Sequence, residues 1–152
     1  MFFRILQIAI PFMWFGAVGA ISFMEAPLKF TAPNITLALG LGIGRIVFQT
    51  LNKIELVMAV LLIFSVLMQR PKGRSWLYFL GIAGLLLFLE TIWVLPALDV
   101  RALQVLSGEA PPFSNGHLIY IAFDAIKLLS LFCLGIILAK QRINEGQRNF
   151  SR

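Results

Sequence analysis

Two polar stripes carry the residues able to do chemistry. Arg45, Gln49, Asn52 and Glu55 follow one another at steps of four, three and three, and His117, Tyr120, Asp124 and Lys127 at three, four and three. Each set therefore lines one face of a helix. Both stripes start at the outer end of their helix and reach inward, Lys127 deepest. Glu90 sits about five residues from the outer end of the third apolar stretch, and Glu25 takes the matching place on the first. Inside a bilayer Glu55, Glu90, Asp124 and Lys127 would together cost on the order of 10 kcal/mol against lipid, so they must face inward, paired or hydrated. Neutralising pairs offered by the spacing are Glu55 with Lys127, Asp124 with Lys127, Glu25 with Arg45, and Glu90 with His117.

Convergence of the stripes predicts a polar pocket in the outer half of the membrane, open to the extracytoplasmic face. It is lined by Glu25, Arg45, Asn52, Glu55, Glu90, His117, Tyr120, Asp124 and Lys127, with Trp93 as a wall one helical turn from Glu90. Such a pocket would bind or transport a small polar or cationic solute, with proton coupling through its carboxylates. Two other readings stand beside it. The charges lock helix register in an accessory subunit of a membrane complex, or the acids do acid/base chemistry on a lipid or quinone-like substrate. No metal site and no cofactor is expected. His117 is the only histidine, which excludes a bis-histidine haem within the chain, and the hard oxygens of Glu25, Glu55, Glu90 and Asp124 have no recognised ligand spacing. Ser22, Ser65 and Ser130 have no histidine nearby in sequence, and Cys133 lies in an apolar run without a partner.

The elements that must position these residues are membrane helices. Of 152 residues 59% are apolar and 13% charged, where a soluble domain carries about 25% charged residues. Apolar runs near 20 residues suit a hydrocarbon slab ~30 Å thick. Spans are expected over about 5–24, 45–68, 76–95 and 118–139, which makes the chain a single membrane domain, all-α, a four-helix bundle. The glycine-punctuated stretch Asn34 to Gly44 is too short to cross and is read as an interfacial or re-entrant connector. A second connector of about 20 residues follows Pro96. Lys and Arg outside the spans fall eight on one side (Arg4, Arg70, Lys72, Arg74, Lys140, Arg142, Arg148, Arg152) and two, Lys29 and Arg101, on the other. By the positive-inside rule both termini are cytoplasmic in an inner (plasma) membrane, and 140–152 is a basic cytoplasmic tail that touches anionic lipid. Arg4 ahead of an apolar run ending in Val18-Gly19-Ala20 also has the form of a signal peptide, but cleavage would leave three spans and put basic residues on the wrong face. The net charge of +6 gathers at helix ends without the aromatic interleaving of a nucleic-acid stripe, so no nucleic-acid partner is expected.

Two offsets suggest an internal repeat. At 65, Gly16, Gly19, Phe23 and Glu25 fall on Gly81, Gly84, Phe88 and Glu90; at 72, Gly44 to Leu56 falls on Gly116 to Leu128, with Arg45 over His117, Asn52 over Asp124 and Glu55 over Lys127. The chain would then be two helical hairpins related by an axis along the membrane normal, a parallel repeat. The glycine pairs would allow close helix approach and a homodimer. Trp14, Trp76 and Tyr78 read as interfacial aromatics.

The segment Phe23-Met-Glu-Ala-Pro-Leu-Lys-Phe30, with Gly44-Arg-Ile-Val-Phe48 and Leu51-Asn-Lys-Ile-Glu55 after a short apolar connector, resembles the transmembrane-protein-205-like family of small four-span membrane proteins. Its Pro-x-x-Phe step after the first span would be Pro27-Leu-Lys-Phe30 here, and the phenylalanine opening the second span Phe48. The resemblance covers the first hairpin best. It implies a four-helix membrane fold and no established activity, and Glu55, Asp124 and Lys127 match no family pattern.

Overall fold

The computed structural model describes residues 2–112 and 114–150. Ser151, Arg152 and the side chain of Arg148, parts of the expected basic tail, lie outside the described residues. Among the described residues the chain is all-helical, with four helices long and apolar enough to cross a membrane. We label them α1 (Phe2–Thr31), α2 (Leu37–Met68), α3 (Ser75–Leu106) and α4 (Gly116–Phe150). They pack in ring order, each against its two neighbours, so α1 and α3 stand diagonally opposite, as do α2 and α4. At one end of the bundle, termed terminal, Arg4 of α1 and Lys72 of the turn after α2 reach Glu145 of α4 at 2.7 and 3.2 Å; the other end is termed distal.

The helices outrun their expected lengths. Asn34 to Gly44 is not a connector: Thr36 caps α2, its Oγ1 accepting from the Leu39 N–H at 3.2 Å, and the helix runs on through the glycines. Nor does Pro96 end the third span. It sits in the first turn of an α-helical segment, Leu95–Leu106, where its missing N–H is tolerated. The expected tail is also helical, continuing α4 to Phe150. Two prolines leave a common mark. α1 widens to π-helix over Gly19–Glu25 and α3 over Glu90–Val94, each stretch ending two residues before a proline, Pro27 and Pro96. A proline ring clashes with the carbonyl four residues back, and a wider turn relieves that clash. Chain reversals use one left-handed residue each: Asn34 (φ 65°), Gly73 (φ 72°) and Gly108 (φ 87°).

The terminal half of the bundle is an apolar core, with Trp14 and Val18 of α1, Leu62 of α2, Ala83 of α3 and Leu131 of α4 all fully buried. Large apolar side chains such as Met13, Val60, Leu85 and Leu129 cover the perimeter. Lipid suits such a surface. The expected glycine contacts do not form within the chain. A Cβ at Gly16, Gly19, Gly81 or Gly84 would meet nothing within 4 Å, whereas one at Gly135 would meet the Phe12 ring at 2.7 Å.

Candidate functional site: a buried carboxylate and lysine centre

Midway along the bundle, one ammonium meets three carboxylates drawn from three helices. Lys127 of α4 lies 2.7 Å from Glu55 Oε1 of α2 and 2.8 Å from Asp124 Oδ1 one turn away, and it donates to Glu90 Oε2 of α3. All four are at most 1% exposed. The fourth helix contributes Trp14, whose indole N–H donates to Glu55 Oε1 at 2.7 Å. Asn52 sits beside the centre and donates to Thr91 Oγ1 at 2.9 Å. Fully ionised, this group of three acids and one base would carry a net charge of −2. One ammonium does not satisfy the acids. Asp124 Oδ2 and Glu90 Oε1 are buried without a hydrogen-bond partner, as is the nearby Ser22 Oγ of α1, and Asp124 Oδ1 has only the Lys127 ammonium. Buried charge of this kind must be neutralised, by protons or by a cation.

Glu55, Glu90 and Asp124 can each direct one oxygen into a common space, the three oxygens lying within 4.8 Å of one another. That is a hard-oxygen donor set. It is assembled across three helices, which is why no linear spacing announces it. Lys127 occupies the middle of it.

The ten residues expected to share one pocket are divided between two compartments and the perimeter. Glu55, Glu90, Asp124 and Lys127 form the sealed centre, with Asn52 and Tyr120 against it, both buried. The Tyr120 ring meets Phe48 at 5.2 Å in a T-shaped pair. Tyr120 stands one turn distal to Asp124 on α4, so this pair closes the centre on its distal side. Beyond it is a cavity of about 340 Å³ lined by Lys29, Arg45, Phe48, Asp99, Arg101 and His117 among others. Neither Glu25 nor Arg45 pairs as expected. Glu25 takes Lys29 at 3.4 Å, and Arg45 takes Asp99 through Nε and, at 3.2 Å, a terminal guanidinium nitrogen. Gln49 adds a hydrogen bond to the same Asp99 at 2.7 Å. His117 is exposed at the distal cavity and has no contact with Glu90, which belongs to the centre. Trp93 is 54% exposed and walls nothing: in the wide π turn Glu90 and Val94 face inward, and Trp93 is turned to the perimeter.

Trp14, Thr91 and Asp99 were not among the expected site residues. Trp14 is fully buried instead of interfacial. Its depth was the available signal, because an indole N–H in mid-membrane needs an acceptor. Asp99 falls in the stretch read as connector. Comparison with protein-family models, with curated proteins and with solved structures finds no match to this chain.

Proposed function

We propose that this chain is a four-span protein of the inner (plasma) membrane, termini cytoplasmic, that binds and transports a small polar or cationic solute, the proton first among them, at the buried centre. The observation that carries the reading is the surplus of acid: Glu55, Glu90 and Asp124 share the single base Lys127 out of contact with water. Two protons neutralise the group, and a site that holds protons reversibly in mid-membrane is the elementary part of a proton path. The pair Phe48 and Tyr120 then acts as the barrier between the centre and the distal cavity, which in this topology faces outward. A parallel repeat of two hairpins is supported by the aligned polar positions and by the π turn that precedes a proline in both α1 and α3. The family resemblance fits the same four-helix plan. Open glycine faces at Gly16 and Gly81 offer a surface for a homodimer.

A second reading, an accessory subunit whose charges only fix helix register, is favoured by the full burial of the centre and its ion pairs. Proteoliposomes separate the two. Under an imposed potassium diffusion potential, vesicles with the wild-type chain should acidify or alkalinise internally faster than empty vesicles, and Asp124→Asn should abolish the difference. Wild-type vesicles no faster than empty ones would reject transport and leave the architectural reading.

A further inference from the structure

The distal cavity has a chemistry of its own, opposite in sign to the centre beneath it. Among its lining residues are three cationic side chains, Lys29, Arg45 and Arg101, and one carboxylate, Asp99. Two of the cations are spoken for. Lys29 is held by Glu25 at 3.4 Å, with its ammonium 5.1 Å from the Phe48 ring centroid, and Arg45 is held by Asp99. Arg101 is partly buried and, among the described residues, in no ion pair. The remaining walls are largely apolar, with Phe30, Leu41, Leu98 and Val105 prominent. An unpaired guanidinium at an apolar cavity of about 340 Å³ is within the size and character of small-ligand sites. It fits a ligand with one anionic group and a hydrocarbon body.

Its level in the membrane agrees. Phe48 and Leu95 each lie 20 residues from the terminal ends of their helices, Met68 and Ser75. At 1.5 Å per residue this is about 30 Å, the thickness of the hydrocarbon slab. The cavity therefore opens where acyl chains give way to headgroups, and Arg101, a further six residues along α3, is about 9 Å into the headgroup layer. An acyl chain can occupy the apolar walls while its charged end meets Arg101. A cationic amphiphile would face uncompensated like charge there.

We infer that the distal cavity is a binding site for an anionic single-chain amphiphile, its charged group on Arg101 and its hydrocarbon against Phe48, Leu95 and Leu98 on the membrane side of that arginine. The site stands whether or not the buried centre carries protons. The shared chemistry, an anionic head on an acyl chain, is available from a free fatty acid or from one chain and the headgroup of an anionic phospholipid.

Titration of the purified full-length chain, in neutral detergent, with a fluorescent long-chain fatty acid and with its methyl ester tests this. The acid should bind saturably at one site per chain and the ester about tenfold more weakly, the worth of one charge-assisted hydrogen bond. Arg101→Gln should weaken the acid about tenfold and leave the ester unchanged. Ala102→Phe, which fills the cavity from α3, should remove both, and Arg74→Gln at the terminal end should bind as wild type. Competition by phosphatidylglycerol but not phosphatidylcholine assigns the site to a phospholipid; absence of competition by either assigns it to the free acid. Equal binding of acid and ester, an unchanged acid-to-ester ratio in Arg101→Gln, or full binding by an Ala102→Phe chain that elutes as the folded wild type would overturn the inference.

Discussion

Lys127 is surrounded by more negative charge than it can balance, and this asymmetry makes its variants informative. Lys127→Met leaves three acids buried with no base and should lower stability by about 3–5 kcal/mol. Asp124→Asn removes surplus charge and leaves Lys127 its contacts with Glu55 and Glu90, so it should be neutral or stabilising. Chemical denaturation of both variants in detergent checks the contrast, and equal losses would mean that Asp124 is a matched partner instead of a surplus acid. Trp14→Phe takes the indole hydrogen bond from Glu55 and should cost about 1–3 kcal/mol by the same measurement.

At the scale of helices, tight packing is concentrated where the chain has few side-chain atoms to spare. Gly135→Leu would drive a side chain into the Phe12 ring, whereas Gly16→Leu and Gly81→Leu would enter open space. The first should destabilise the fold by about 1–3 kcal/mol and the other two should leave the monomer's unfolding midpoint unchanged; if the glycine faces join two copies, cross-linking in membranes will fall in the latter pair. Helix number and type were legible because apolar runs near 20 residues with few charges have few alternatives in a chain so poor in charge. Ends were less so. Pro96 and the glycines before Gly44 are local signals for stopping, and tertiary packing at the distal end, with α2 against the Leu95–Leu106 segment, overrides them. The meeting of Glu55, Asp124 and Lys127 follows from steps of three and four and the high cost of ions in lipid. Partner choice does not follow. Arg45 could reach Asp99 only because α3 continues past Pro96, and Trp93 was misplaced because a π turn leaves no mark in helical periodicity.

Across the whole molecule, polar layers of opposite sign are stacked along the bundle. At the terminal end one acid, Glu145, gathers Arg4, Lys72 and Arg142; an apolar core follows, then three acids around one lysine, and finally the basic distal cavity. Glu145→Gln should release the end of α4 from α1 and from the turn after α2, seen as faster backbone hydrogen exchange near residues 140–147 with little change in the unfolding midpoint. The basic terminal end suits the cytoplasmic leaflet in the proposed orientation. Everything proposed for transport depends on the state of the middle layer, where neutrality calls for two bound protons. Infrared spectra of the chain in nanodiscs at neutral pH report this directly through the C=O stretch of protonated carboxyl groups. Two bound protons should give such a band in the wild type and a band of about half its area in each of Glu55→Gln, Glu90→Gln and Asp124→Asn, because removing any one acid removes one unit of surplus charge. A wild-type spectrum without that band, its buried carboxylates all ionised, would contradict the two-proton state.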